Sequence, residues 1–297
     1  MNDSPAFPRA VLGFGGATFG REIDESASFE LMDYAWERGI RHLDTAAAYS
    51  NGASERIVGR WLATRRPEGL ILATKTLPPY ASTALTTSLH ESLERLGRAR
   101  VDIFYLHRWD SSLGDDGLVA LDRAVRDGQV GALGISNVSP TILTALLKRQ
   151  SELGLAPFRV LQCNHNYAVS ELDAAMLALQ TEQAFEVVTF SPLGAGFLTG
   201  KHASGVVEGS RFAIVPGHQA IYFKPEAKAR LEKLHAVAAS RGITPERLAL
   251  AWALRTPAVG TVLVGGRTKA HLDQALAARD DGERATTEAL AVLAHHD

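Results

Sequence analysis

The chain has 297 residues, of which 46% are hydrophobic and 22% charged, so its composition is that of a globular protein and excludes disordered or collagen-like chains. Its net charge of −2 gives no overall field that would attract nucleic acid or an anionic membrane. The single cysteine, Cys163, favours a reducing, cytoplasmic location. We expect no signal peptide at Met1–Ala10, and Val187–Leu198 is shorter than the ~20 residues of a membrane span.

Short apolar runs alternate along the chain with segments of helical periodicity. These runs are typical of strands in a parallel sheet that is covered by helices. In chain order, the predicted strands are Val11–Gly13, Ile40–Leu43, Leu70–Thr74, Val101–Leu106, Ala132–Ile135, Val160–Cys163, Val187–Phe190 and Thr261–Val264.

The helical segments carry start and stop signals. Phe29, Met32 and Trp36 form one apolar stripe, which Gly39 closes. Leucines at positions 85, 89, 93 and 96 form a second stripe, with Ser82 and Thr83 as candidate caps and Gly97 at its end. A third helix is expected to begin with Thr244 as N-cap and Pro245 as its first residue.

The spacing of the strands predicts the fold class. Strand ends fall near residues 15, 44, 75, 107, 136, 162, 190 and 264, and all steps but the last are close to the ~30 residues of a strand, a crossover helix and two loops. Eight such units predict an α/β protein with one (β/α)8 TIM barrel as a single domain over residues 1–297, with a long loop after strand 7. The alternative is an open doubly wound dinucleotide-binding sheet, but Thr18 occupies the position of the third glycine of its G-x-G-x-x-G motif.

Polar residues stand at the expected carboxyl ends of three adjacent strands, where barrel active sites lie. Asp44 ends strand 2 and Tyr49 follows in its loop, while Lys75 ends strand 3 and His107 ends strand 4. Each residue has a structural alternative: Asp44 as a turn cap, Asp44 and Lys75 as a stabilising ion pair, His107 as a core histidine. The coincidence of four suitable groups favours a catalytic site.

The four groups suggest proton transfer to a carbonyl oxygen. A tyrosine has an ordinary pKa near 10, and we expect the Lys75 ammonium to lower the pKa of Tyr49. Asp44 would keep Lys75 charged, and His107 would orient the substrate oxygen. No side chain supplies hydride, so a reduced nicotinamide is implied. A Schiff-base role for Lys75 is the alternative, but Asp44 disfavours the neutral amine that it requires.

At this point the chain resembles the aldo-keto reductase family over Leu12–Gln274. The most specific segment is Asp44–Glu55, which is similar to the family pattern D-T-A-x-x-Y-G-N-G-x-S-E. Further segments that look like family segments are Ala73–Lys75, Val101–His107, Gly134–Asn137, Ser191–Leu193 and Gly265–Thr268. The resemblance implies an NADPH-dependent reductase of aldehydes or ketones, with Asp44, Tyr49, Lys75 and His107 as its catalytic tetrad.

The resemblance also implies a cofactor site. Three strand-end residues would bind the nicotinamide carboxamide: Ser136, Asn137 and Gln162. Phe190 replaces a common family tyrosine that stacks on the nicotinamide. The pyrophosphate loop would consist of Ser191, Leu193, Gly196 and Lys201, with Arg211 as either a phosphate contact or a solvated loop arginine.

The segment after strand 8 favours NADP, with NAD as the other candidate. Gly265 and Arg267 precede a helix, whose N-terminus is suited to anions, and Arg267 would hold the adenosine 2′-phosphate. Lys269 is a second candidate for that phosphate. Gln274 would contact adenine, whereas Ala275 stands where the family has an asparagine.

The substrate is expected to be a small carbonyl compound or alcohol, with Phe19 and Trp109 as candidate pocket walls. Nucleic acid and membrane are not expected as partners, and the oligomeric state cannot be predicted. No metal cluster with ligand spacing is recognised, and His295-His296 is interpreted as a solvated tail pair. The alternatives are an NAD(P)-dependent sugar or alcohol dehydrogenase on the same site and a cofactor-binding regulatory subunit without significant turnover.

Overall fold

A computed structural model describes residues 12–280 and 283–294 of the chain. The segment Met1–Ala10, residue Val11 of the first predicted strand and the tail pair His295-His296 lie outside the described residues. None of the helices in the described part is both long enough and apolar enough to cross a membrane.

Eight parallel strands close into a barrel in which each strand pairs with its sequence neighbours and β8 pairs with β1. This closed order confirms the predicted (β/α)8 barrel and excludes the open sheet. The strands are β1 Leu12–Gly15, β2 His42–Asp44, β3 Ile71–Thr76, β4 Val101–Leu106, β5 Val130–Ser136, β6 Phe158–Asn164, β7 Glu186–Phe190 and β8 Val259–Val264.

Helices surround the barrel and follow the predicted periodicity. They are α1 Glu25–Glu37, α2 Ala53–Arg65, α3 Ser82–Leu96, α4 Asp115–Arg126, α5 Pro140–Glu152, α6 Ala174–Gln183, α7 Arg211–Ile214, α8 Gln219–Tyr222, α9 Pro225–Ser240, α10 Pro245–Leu254, α11 Lys269–Arg279 and α12 Arg284–Ala294.

The helix boundaries show which cap signals were correct. Thr244 is the N-cap of α10, since its hydroxyl accepts from the backbone N–H of Arg247, and Gly97 ends α3 in the left-handed region. The predicted N-terminus of α3 is wrong by one residue, because Ala81 is the cap and Ser82 lies inside the helix. The Asp116 carboxylate, from the next helix, accepts the Ser82 N–H instead. A distant side chain therefore replaces the missing cap.

Strand side chains alternate between two apolar layers. One set fills the barrel interior, and the other packs against the helices around it. The interior set consists of Ile71, Ala73, Ile103, Tyr105, Ala132, Val160, Val188 and Leu263. Because this interior is filled, the polar side chains at the strand ends are confined to the upper rim of the barrel.

The long connection between β7 and β8 is folded and has its own apolar cluster. It contains α7 to α10, and within it the Tyr222 ring packs against Phe197 and Phe212 with ring centroids 5.8–5.9 Å apart. The predicted long loop after strand 7 is therefore present, and part of it is helical. It begins at the same rim as the strand-end polar residues, at the end of β7.

Candidate active site

The centre of the rim is a buried ion pair between Lys75 of β3 and Asp44 of β2. Both side chains are almost completely excluded from solvent. The Lys75 ammonium also donates to the Thr45 carbonyl at 2.8 Å and lies 3.5 Å from the Tyr49 hydroxyl. Burial alone would lower the pKa of Lys75, but the Asp44 charge and the contact with Tyr49 outweigh it and raise that pKa. Lys75 is therefore charged at neutral pH.

A tight turn holds Tyr49 over this pair. Tyr49 begins a short 3-10 helix in which the next three residues, Ser50, Asn51 and Gly52, have φ values of 50°, 51° and 78°. The left-handed region is costly for Ser50, whereas Gly52 adopts it freely. The Ser50 hydroxyl donates to the Phe19 carbonyl at 2.9 Å, which fixes the turn against the loop after β1.

A second buried ion pair supports the turn from below. The Glu55 carboxylate in α2 accepts from Thr74 of β3 at 2.5 Å and from Arg95 of α3 at 2.6 Å. Glu55 has no exposed surface, so these contacts must offset the cost of burying its charge. Sequence analysis missed this role, although the charged Glu55 inside an otherwise small-residue motif was a usable signal.

His107 completes the group from the end of β4. Its ring meets the Tyr49 ring edge to face, with the centroids 5.7 Å apart. Burial, assisted by the positive charge of Lys75, lowers the pKa of His107 to about 4, so the imidazole is neutral at pH 7. Its Nδ1 atom is buried without a hydrogen-bond partner in the described part of the chain. The structure thus brings the four predicted residues together.

The net pKa shift of Tyr49 has a cause that the sequence did not reveal. Burial raises the pKa of Tyr49 above 10, and the opposing effect of the Lys75 charge is smaller. The Lys75 charge does lower the pKa of Tyr49, as expected, but burial was not foreseen and outweighs it, so the net shift is upward. A protonated Tyr49 next to a charged Lys75 is an arrangement suited to a general acid.

The three residues expected to bind the nicotinamide carboxamide lie beside the tetrad. Ser136 ends β5, and Asn137 follows with a φ of 51° and donates to the His107 carbonyl at 2.8 Å. Gln162 of β6 is buried and donates from Nε2 to the Asp44 carboxylate at 2.9 Å. Gln162 is therefore a partner of Asp44, which sequence analysis had not foreseen.

The loop after β7 forms a cationic recess. Phe190 is half-buried at the end of β7, and Ser191 and Leu193 lead into a 3-10 helix at Gly194–Thr199. Gly196 has a φ of 92°, and a Cβ there would lie 2.9 Å from Lys201 Cε. Lys201 therefore packs closely over the Gly196 backbone.

The segment after β8 supplies a second cation. Gly265 follows β8 closely, and Arg267 donates to the Gly209 carbonyl at 2.9 Å. Burial and the positive charge of Arg267 together lower the pKa of Lys201, so the two cations act on one another. Two cations close to one another form an arrangement that would accept a phosphate.

The last two predicted cofactor contacts, Gln274 and Arg211, lie in different environments. Gln274 is exposed on α11, while its neighbour Ala275 is buried against the fold. Arg211 donates to Glu22 at 2.9 Å, and this carboxylate is almost completely buried. The structure therefore gives Arg211 a protein partner in place of the solvated position, and its contact with a phosphate stays a prediction.

A family model described as the aldo/keto reductase family matches residues 11–291 of the chain. The chain belongs to the aldo/keto reductase family. It is 31% identical over 288 residues to L-glyceraldehyde 3-phosphate reductase of Escherichia coli O157:H7, covering 90% of this chain and 82% of that protein. It is 29% identical over 300 residues to probable aldo-keto reductase 1 of Glycine max, covering 92% and 81%.

A third relative carries a different kind of name. The chain is 30% identical over 296 residues to a putative voltage-gated potassium channel subunit beta of Schizosaccharomyces pombe, covering 93% of this chain and 86% of that protein. The family and its oxidoreductase-named members identify the chain as a nicotinamide-dependent oxidoreductase.

The expected substrate walls of this aldo/keto reductase need one correction. Phe19 has no exposed surface and packs edge to face on Phe14, with ring centroids 5.6 Å apart. It cannot line an open pocket, because the chain after β1 turns its ring into the core. Trp109 is half-buried near His107, and its backbone N–H donates to the Asn137 carbonyl at 3.3 Å.

Sequence analysis also missed a groove beside the Tyr49 loop. The groove has a volume of about 530 Å³ and separates the loops after β2 and β3 from α3. Its lining is mostly small or hydroxyl-bearing side chains, and the residues are Ala47, Ala48, Thr76, Leu77, Pro79, Thr83, Ala84, Thr87, Ser88 and Glu91. Leu77 is exposed here, so this groove offers an apolar surface close to the tetrad.

Buried histidines make stability pH-dependent. Burial lowers the pKa of His42, His107 and His165 to about 4, below the unfolded value of 6.5. Between pH 6.5 and 4 the unfolded chain binds more protons, so the free energy of unfolding falls as pH falls. Each histidine contributes at most about 1.4 kcal/mol per pH unit. Urea unfolding at pH 4.5–7 measures this dependence. In the His42→Leu variant, the free energy of unfolding should depend less steeply on pH. A urea midpoint that does not change with pH would contradict the prediction.

Proposed function

We propose that this protein is an NADPH-dependent reductase of aldehydes or ketones, with Tyr49 as the general acid. The observation that carries the proposal is the Lys75 ammonium, buried between the Asp44 carboxylate and the Tyr49 hydroxyl, with the His107 ring against the Tyr49 ring. A purely structural ion pair needs no phenol or imidazole at this point. Spectrophotometric NADPH consumption over a library of aldehydes and ketones tests it, and no turnover with any member would contradict it.

Each side chain of the site has its own role in the reduction of a carbonyl substrate. The raised pKa of Tyr49 keeps its proton available at neutral pH. Lys75 stabilises negative charge on the phenolate as that proton leaves. The neutral imidazole of His107 has one ring N–H to orient the carbonyl oxygen. Bound nicotinamide supplies the hydride.

The cationic recess supports NADPH over NADH. Lys201 packs over Gly196, and Arg267 lies close enough to lower the pKa of Lys201. Both lie on the loops after β7 and β8, the usual phosphate position of a barrel. We assign the pyrophosphate to the loop from Ser191 to Lys201 and the adenosine 2′-phosphate to Arg267.

Arg267→Ala is expected to weaken NADPH binding about tenfold or more, since a charge-assisted contact is lost, and to leave NADH binding nearly unchanged. Fluorescence titration with both cofactors measures the two dissociation constants. Arg126→Ala is the matched control, because Arg126 is an exposed, ion-paired arginine in the last turn of α4. Equal losses for NADPH and NADH would contradict the 2′-phosphate assignment, and tighter binding of NADH by the unmodified protein would contradict the choice of NADP.

Two alternative functions would use the same site. An NAD(P)-dependent sugar or alcohol dehydrogenase would run the reaction toward oxidation, and rates with aldoses and aromatic aldehydes distinguish it. A cofactor-binding regulatory subunit is favoured by one observation, the potassium channel beta subunit name of a 30% identical relative. Cofactor binding without turnover across the carbonyl library would support that alternative.

For the chain as a whole, we propose one catalytic barrel domain over residues 1–297. The single cysteine, Cys163, is buried, and burial raises its pKa, so it is an unreactive thiol consistent with a reducing cytoplasm. The partner under this proposal is a small carbonyl compound or alcohol.

A further inference from the structure

Asn166 is a buried carboxamide in the turn that follows β6. Its side chain has no exposed surface. Its Oδ1 accepts from the backbone N–H groups of Ala168 at 3.1 Å and Val169 at 3.0 Å. Because two N–H donors require an oxygen at that end, they fix the orientation of the carboxamide. The Asn166 Nδ2 group is therefore left to donate outside its own turn.

This Nδ2 group donates to the residue that begins the loop after β7. It donates to the Ser191 carbonyl at 3.0 Å, although Ser191 is 25 residues away in the chain, and to the Tyr222 hydroxyl at 3.2 Å. The Tyr222 hydroxyl donates in turn to Asn164 Oδ1 at 3.0 Å. The buried cluster therefore joins the end of β6 to the start of the loop after β7.

Ser191 has a backbone conformation that needs support. Its φ is 58°, in the left-handed region, which is costly for a residue with a Cβ. Its carbonyl also accepts from the Gly194 N–H at 2.8 Å, and this bond shapes the turn from within. A bond inside the turn cannot fix where the turn lies relative to the barrel. The Asn166 bond can, because it comes from the neighbouring strand end.

An aromatic ring packs against the same turn. A Cβ on Gly194 would lie 3.0 Å from Cε1 of Tyr222, so the Tyr222 ring lies against the Gly194 backbone. Tyr222 is buried and belongs to α8 of the long connection. The turn from Ser191 to Gly194 is therefore in contact with Asn166 at its first residue and with Tyr222 at its last.

We propose that Asn166 is a positioning residue for the cofactor, which holds the Ser191 carbonyl and so fixes the position of the loop from Ser191 to Lys201 against the end of β6. This inference rests on the proposed function, which assigns the pyrophosphate to that loop. Asn166 has no exposed surface, so it acts through Ser191 and does not touch the cofactor. NADPH and NADH share the pyrophosphate, so both depend on this loop.

Asn166→Ala is expected to raise the dissociation constants for NADPH and NADH by about tenfold each, because the loop is less firmly held before the cofactor binds. Fluorescence titration measures both constants. With saturating cofactor, kcat should stay within about twofold of the unmodified value, since the tetrad is intact. A folded variant with unchanged constants, or a loss confined to one cofactor, would overturn the proposal.

Gln150→Ala is the matched control. Gln150 of α5 is also completely buried, and its Nε2 donates to the Ala156 carbonyl at 2.8 Å while its Oε1 accepts from the Phe158 N–H at 3.1 Å. It contacts the first residue of β6, at the opposite end of the strand from Asn166. Gln150→Ala should lose comparable stability in urea and leave both constants unchanged. A rise equal to that of Asn166→Ala would show general destabilisation and overturn the proposal.

Asn166→Asp restores the acceptor for the turn and tests the donor alone; it also serves if Asn166→Ala does not fold. Burial raises the pKa of a carboxyl group, and its protonated form can donate to the Ser191 carbonyl. The NADPH dissociation constant, as a ratio to that of the unmodified protein, should therefore lie at or move toward one as pH is lowered from about 8 to about 5. The ratio removes the contributions of the neighbouring groups Tyr222 and Glu171, whose pKa values burial also raises. A ratio that stays near ten over this range would overturn the proposal.

Failure of this inference is distinguishable from failure of the proposed function. If the unmodified protein binds neither NADPH nor NADH, the proposed function fails and the role of Asn166 fails with it. If the unmodified protein binds both and Asn166→Ala binds them equally well, only the role of Asn166 is overturned.

Discussion

Replacing Tyr49 with phenylalanine is expected to lower kcat for carbonyl reduction by about 10²–10⁴-fold, the usual contribution of a positioned general acid. Phenylalanine keeps the ring against His107 but removes the proton that the raised pKa of Tyr49 holds available. Steady-state kinetics with the best carbonyl of the library measures the loss. The dissociation constant for NADPH should stay near that of the unmodified protein.

The pH dependence of the two directions gives an independent check of the same role. Burial raises the pKa of Tyr49 above 10, so reduction, which uses the phenol, should persist from neutral into alkaline solution. Oxidation, which uses the phenolate, should accelerate as pH rises toward that pKa. Tyr34→Phe is a suitable control, since Tyr34 is a tyrosine on α1 outside the rim. Retention of full activity by Tyr49→Phe would show that another group is the acid.

Replacing Lys75 with methionine is expected to lower the free energy of unfolding by about 3–5 kcal/mol, because the buried Asp44 carboxylate loses its partner. It should also abolish reduction, since no ammonium remains to stabilise the Tyr49 phenolate. Urea unfolding and steady-state kinetics measure the two effects. In the Lys75→Met variant, Asp44 would lose the Lys75 ammonium and keep the hydrogen bond from Gln162.

The double variant Asp44→Asn with Lys75→Met separates stability from catalysis. With both charges removed, no uncompensated charge is buried, so much of the lost stability should return while activity stays absent. Recovery of activity together with stability would mean that the pair serves only the fold. A stability loss in the double variant as large as that of Lys75→Met would contradict the assignment of the cost to the unpaired carboxylate.

The sequence predicted the tetrad because barrel topology converts strand spacing into proximity. Asp44, Lys75 and His107 stand at successive strand ends, and parallel neighbours place those ends on one rim. No contact had to be known in advance. The same logic placed Lys201 and Arg267 on adjacent loops.

Contacts between residues far apart in the chain could not be predicted from the sequence. Gln162 and Asp44 are 118 residues apart, and Glu55 and Arg95 are 40 apart, with no local pattern that pairs them. Their hydrogen bonds depend on strand register and on which face of a helix meets the next one. The ion pair between Arg211 and Glu22 spans 189 residues and is of the same kind.

By itself, the sequence determined the closed barrel, the strand-end residues and the family pattern, because strand period and residue order are properties of the chain. Tertiary structure decided which environment each side chain occupies. It places Phe19 in the core and pairs Gln162 with Asp44. It also raises the pKa of Tyr49, whereas the charge of Lys75 alone predicted a lower pKa. The physical reason is that desolvation depends on every neighbour that excludes water, and those neighbours come from strands and loops far apart in sequence.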